Sequence, residues 1–244
     1  MAVRADIRYV AYYIVRELGL GTFVPVTVSA GSTTMRVLNA EMFEPAGGQC
    51  IIEATDNLVT YTAVQDDVLT GIPASSTGSI ADDVDPYTED QPSLIYLPEL
   101  ITTDELETVI DRYRVWRAIE CLPNETYTKY FCERGWLGNE DETPAATVEL
   151  RDDDGQTYAV VSEDDRDSET GEFEFDSAQT YDVLYAVGWF YNPFASIADV
   201  VDSLIRSERW HRYSQVGQLT HSKKDALEVS AHWRKKASVL NFIT

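Results

Sequence analysis

Apolar residues first recur at helical spacing. Ile7, Val10, Ala11, Ile14 and Leu18 fall at i, i+3, i+4, i+7 and i+11, followed by Gly19 and Gly21, which predicts one amphipathic helix with a single buried stripe. The pattern then shortens to β-type runs at 23–28, 50–54, 58–64 and 68–72, parted by Asp56-Asn57 and Gln65-Asp66-Asp67, a small meander. From 73 to 98 the chain is rich in Ser, Gly, Asp and Pro, the composition of a linker.

A second helix is expected from Thr102-x-x-Glu105, a capping box, through Leu106, Val109, Ile110, Tyr113, Trp116 and Ile119 to Pro123, and a short third over 125–134. Strands follow at 147–151 and 157–161 across Asp153-Asp154-Gly155, then at 172–175 and 181–187, with an acidic, turn-like run at 162–171. Asn192-Pro193 opens a helix carrying Ile197, Val200, Val201 and Leu204. A helical stretch covers 207–216, and Ser222-x-x-Asp225 caps a last helix. Helices segregate from hairpins, so the expected class is α+β rather than a parallel α/β sheet. Three segments are expected: 1–40, a helix and strand; 41–98, an inserted meander and acidic loop; and 99–244, a helical core with β-hairpins and a basic C-terminal helix and tail.

Charge sharpens this picture. Residues 1–205 hold 11 Lys+Arg against 39 Asp+Glu, whereas 206–244 hold 8 against 3, within a net charge of -23. Self-repulsion of that size is screened at molar salt, where the Debye length falls to about 3 Å, so a halophilic source is expected. Cys50, Cys121 and Cys132 form no CxxC pattern and read as buried free thiols, not a zinc ribbon or disulfide framework. No signal-peptide layout and no apolar run of about 18 residues occurs, so the expectation is a soluble protein made and used inside a cell or particle.

No catalytic residue, cofactor site or metal site is expected. His211, His221 and His232 lie nine or ten residues apart, unlike helical metal pairs three or four apart. Asp152-Asp153-Asp154 and Glu163-Asp164-Asp165 do not follow the EF-hand ligand pattern; they read as solvated loops, with cation binding left open. Phosphate-binding glycine loops and nucleophile elbows are missing from the sequence. The chain is therefore expected not to be an enzyme.

Two stretches resemble proteins of tailed viruses. Pro45-Ala46-Gly47-Gly48, then 51–64 and Val68-Leu69-Thr70-Gly71-Ile72, resemble a hairpin recurrent in neck and tail proteins, departing from it at Ile72-Pro73, where that pattern has a charged, Gly-containing turn. The run 181–189 into Asn192-Pro193 and Ile197-x-x-Val200-Val201-x-x-Leu204 is similar in layout to head–tail connector (adaptor) proteins, in which a β segment precedes a Pro-initiated helix pair. The resemblance implies a helical connector-type core with small antiparallel β-hairpin or meander sections inserted. It also implies a homo-oligomeric ring, about twelve-fold for a connector, lying in the virion neck between head and tail and assembled in the host cytoplasm. Its partners would be the portal protein, a downstream neck or tail protein, and genome DNA passing through the lumen without sequence specificity; no membrane is involved. Combined with the charge, the likeness points to a virus of a halophilic archaeon.

Two other readings stay open. One is another neck or tail component: a stopper, a tail terminator or a baseplate subunit. The other is a DNA-binding module acting through the basic tail, although molar salt weakens phosphate contacts. The candidate partner interface is Trp210, Arg212, Val229, Trp233, Arg234, Lys235, Lys236, Leu240, Phe242 and Ile243. It rests on a seam of Ala226, Val229, Trp233, Ala237 and Leu240 so narrow that its helix is expected to be under-buried by its own chain, and on an apolar C-terminus suited to docking on a portal.

Overall fold

The computed structural model describes residues 7–53, 57–86, 94–98, 100–132, 149–152, 160–161, 165–167, 170–207, 209 and 223–239. Helix α1 (Arg8–Leu18) forms as the periodicity predicts. It buries Val10, Ala11, Tyr12, Ile14, Val15 and Leu18 and stops at Gly19, whose φ of 62° is the left-handed conformation glycine adopts without a Cβ penalty.

The next region forms two antiparallel sheets. One has the order β1-β7-β3-β4, from β1 (Gly21–Phe23), β7 (Leu94–Tyr96), β3 (Gly48–Ile52) and β4 (Asn57–Tyr61). The other has the order β2-β6-β5, from β2 (Thr34–Arg36), β6 (Val68–Thr70) and β5 (Ala63–Gln65). The expected run 58–64 breaks at a bend at Thr62 between β4 and β5, a residue that a Cβ at Gly47 or Gly71 would strike. The expected strand 23–28 stops at Phe23, leaving Val28 with a single bridge to Val84. The linker reading of 73–98 is corrected: Ile80 and Val84 are buried, and Leu94, Ile95 and Tyr96 form the strand that separates β1 from β3.

Helix α2 (Thr103–Arg112) starts at the predicted capping box, with Glu105 N–H donating to Thr102 Oγ1 and Thr102 N–H to Glu105 Oε2. It does not continue to Pro123. The chain becomes β8 (Arg114–Pro123), paired over eight residues with β14 (Leu184–Tyr191). Tyr113, Trp116 and Ile119 match a helical stripe, but Val115, Ile119 and Cys121 equally match a period of two, and the long partner strand decides between them. The expected helix at 125–134 is also corrected. Asn124 Oδ1 accepts the N–H groups of Thr128 and Lys129, turning the chain back into β9 (Lys129–Cys132). With β10 (Glu149–Arg151), β11 (Val160–Val161), β12 (Asp165–Asp167) and β13 (Glu172–Glu174), a seven-stranded antiparallel sheet results, in the order β11-β10-β14-β8-β9-β13-β12. Residues 153–159, which hold the expected turn, and 162–164 lie outside the described residues; within the expected turn-like run 162–171, Asp165–Asp167 form β12 paired with β13, which corrects that reading.

Asn192 caps α3 (Pro193–Arg206), its Oδ1 accepting from Ala195 N–H, with Pro193 in the first turn. The last helix is α4 (Lys223–Val239). Most of the stretch 207–216 and Ser222 fall outside the described residues.

Fourteen strands and four helices among the described residues overturn the expected helical core with inserted hairpins: three antiparallel sheets carry much of the architecture. Two hydrophobic cores form. The first joins α1–α4 to the two smaller sheets, so segments 1–40 and 41–98 share their interior with α2, α3 and α4. The second, of Cys121, Tyr130, Cys132, Leu150, Phe173, Phe175, Leu184, Ala186 and Phe190, lies on one face of the large sheet.

Candidate interaction surfaces

The C-terminal helices expose less apolar surface than the sequence suggests. On α4, Ala226, Ser230 and Trp233 are buried and Val229 packs against the first core. Trp233 stacks on Phe194 of α3, with ring centroids 5.8 Å apart and planes 24° from parallel. Asn192 Nδ2 donates to Ala237 O and Ser230 Oγ to Ala198 O. The under-buried seam is therefore a correction: its residues at 226, 229 and 233 face α3 of their own chain, whose small Ala195, Ser196 and Ala198 admit a close helix. Val229 and Trp233 are thus removed from any free docking face.

Among the described residues, most basic groups of this region are engaged. Arg234 donates to Asp202 at 2.5 Å and to Asp199 at 3.3 Å, and Arg112 of α2 bonds the same Asp199. Lys236 Nζ lies 4.2 Å from the Trp233 ring centroid, a cation–π contact. Arg209 grips Glu105 with two nitrogens, at 2.9 and 2.6 Å, and this hydrogen bonding holds the Glu105 carboxyl below its ordinary pKa against the opposing effect of burial. Burial, followed by the charge of Asp199, raises the neighbouring Tyr113 phenol. Lys235 is exposed, as is His232, which meets the Trp233 ring edge-on. Trp210, Arg212, Leu240, Phe242, Ile243, His211 and His221 lie outside the described residues.

The surface that sequence reasoning missed is on the large sheet. Directly opposed residues of an antiparallel pair share a face, and the register opposes Trp116 to Trp189, Ala118 to Val187, Glu120 to Tyr185, Leu122 to Phe131 and Phe131 to Glu172. The other face holds the second core; this one packs against the first core at its Trp189 and Tyr191 end and is exposed at Trp116, Leu122 and Phe131. Trp116 is 50% exposed, Leu122 56% and Phe131 45%. Trp116 meets Trp189 edge-on at 5.4 Å, and the Arg114 guanidinium lies 4.5 Å from the Trp189 ring centroid. Lys129 bridges Glu172 and Glu174 at 2.5 and 3.0 Å on the same face, which raises the lysine pKa. The signal was the alternation at 116, 118, 120 and 122, hidden by the helical match.

A buried polar cluster in the first core was also missed. Tyr12 Oη donates to Glu53 Oε2 at 2.8 Å, and Arg8 Nε lies 3.8 Å from Glu53 Oε1. Burial first, then the charge of Glu53, raises the Tyr12 phenol. The arrangement ties α1 to the end of β3.

No family model matches the chain, and neither a curated protein nor a solved structure matches it.

Proposed function

We propose that the chain is a structural, ring-forming protein of the head–tail connector kind, joining a portal to a tail around the genome of a tailed virus. The observation that carries the reading is the open aromatic face of the large sheet. Trp116, Leu122 and Phe131 form an exposed stripe of the side-chain types that anchor protein interfaces, with Glu120, Glu172 and Glu174 among them. On another element of the same chain, α4 presents Leu227, Lys235 and Val239 to solvent. The exposed aromatic stripe of the sheet and the exposed Leu227 and Val239 of α4 are two separate apolar surfaces on one molecule, and their occupant is a second copy of this chain docked head to tail. Heterologous contacts of this kind close into rings when the rotation per subunit allows.

The same geometry weighs against the basic tail as a DNA-binding module. Arg209 and Arg234 bond carboxylates of their own chain, and Lys236 covers Trp233. Phosphate binding would have to displace these contacts, and it weakens steeply with salt.

The test is light scattering and negative-stain imaging of the full chain in molar KCl. Closed rings of one size are expected. Folded monomers at concentrations of tens of micromolar would refute the reading.

A further inference from the structure

We infer that Cys121 and Cys132 form an oxidisable dithiol that accepts a low-molecular-weight disulfide as its oxidant and closes into a cross-strand disulfide stapling β8 to β9. The inference stands on backbone register and holds whichever assembly the chain enters.

The two residues are directly opposed. Antiparallel pairs alternate between hydrogen-bonded and non-hydrogen-bonded, and only the latter bring Cα atoms to about 4.5 Å. The type of this pair follows from the hairpin end. Asn124 N–H donates to Lys129 O at 2.8 Å, so Asn124/Lys129 is bonded, Pro123/Tyr130 is not, Leu122/Phe131 is bonded and Cys121/Cys132 is not. An independent contact agrees, since Cys132 N–H points away from β8 and donates to Gly171 O at 2.9 Å. A Cα separation of about 4.5 Å falls in the range disulfides span, about 4.4 to 6.8 Å.

Neither cysteine is in a disulfide, and both are buried on the core face of the sheet, Cys121 fully and Cys132 at 6% exposure. The Cys121 thiol is held far above its ordinary pKa, first by its hydrogen bond to Cys132 and then by burial. Cys132 is the more exposed of the two sulfur-bearing residues and makes the first attack. Cys132 also borders a cleft of about 310 Å³ with Glu120, Leu122, Pro123 and Phe131 at this end of the sheet.

The chemistry balances as two exchanges. The Cys132 thiolate attacks one sulfur of R–S–S–R, forming a mixed disulfide and releasing one R–S⁻, which takes up a proton. The Cys121 sulfur, losing its proton, then attacks Cys132 Sγ and releases the second R–S⁻. The protein loses two electrons and two protons, and the oxidant becomes two thiols. Deprotonation limits both steps, so closure quickens with rising pH.

The test oxidises the full chain in molar KCl with glutathione disulfide at pH 7 and pH 8.5, blocks remaining thiols under denaturing conditions, and maps tryptic peptides. Cleavage after Arg117, Lys129 and Arg134 separates the two cysteines. The expected product is peptide 118–129 linked to 130–134 within one chain, formed faster at pH 8.5, with Cys50 still open to alkylation. The oxidised chain should melt about 5 °C higher and return on reduction. Cys50→Ala should link equally well, whereas Cys121→Ser should stop at the mixed disulfide on Cys132. An unreacted pair, glutathione on both thiols without a link, pairing with Cys50, or a link between chains would each overturn the inference.

Discussion

Asp199 is the residue on which three helices converge. Its side chain is 9% exposed and takes charge-assisted bonds from Arg112 of α2 and Arg234 of α4 while standing on α3. Both arginines are half exposed, so solvent screens the attraction and the pairs count for less than fully buried ones. Asp199→Ala should cost about 1 to 3 kcal/mol, mostly through two guanidinium groups losing their shared acceptor, as a denaturant midpoint in molar KCl would show. Glu105 gives a pH signature. Its carboxyl pKa lies below the ordinary value when folded, chiefly through Arg209, so the stability it adds is present above the unfolded value near 4.5 and is lost as pH falls through the folded one. Glu105→Gln keeps a capping-box side chain but removes that titration. Its thermal midpoint should fall less steeply than the wild type's below pH 4.5; parallel acid limbs would exclude the assignment.

Elements were legible wherever a local signal acted alone. The α1 stripe with its glycine stop, the capping box at Thr102, the Asn192-Pro193 start of α3 and the Asp66-Asp67 hairpin between β5 and β6 all read directly from neighbouring residues. What was not legible depended on distant partners. Residues 113–119 satisfy both periods, and β14, about 70 residues away, settles them as strand. Leu94, Ile95 and Tyr96 make too short a run to stand out from a polar segment, yet pairing with β1 and β3 puts them at the centre of a sheet. Ala226, Val229 and Trp233 of the expected α4 seam do lie on one face, but its cover was not legible, because the pairing of α4 with α3 depends on residues about 30 positions away. Trp233 therefore belongs to folding. Trp233→Ala should cost about 3 to 5 kcal/mol, whereas Trp116→Ala should cost under about 1 kcal/mol. Equal losses, measured by chemical unfolding, would contradict this division between core and surface.

At the scale of the whole molecule, the proposed assembly takes its conditions from charge and its contact from the exposed face of the large sheet. With a net charge of -23 over 244 residues, repulsion opposes both folding and self-association until salt screens it. The unfolding midpoint should rise by about 10 °C or more from dilute buffer to molar KCl, and a flat midpoint would remove the halophilic reading. Under those salt conditions the proposed assembly would rest on the apolar stripe, since ionic contacts are damped while hydrophobic burial is not. Even weak contacts repeated around a closed ring hold together through multivalency. The most direct test of the account is the mass in molar KCl, by light scattering, of the wild type beside the Trp116→Glu/Leu122→Glu double variant, with melting curves to verify folding. The account predicts a single ring-sized mass for the wild type and a folded monomer for the variant. A variant that still assembles with the wild-type mass would contradict it.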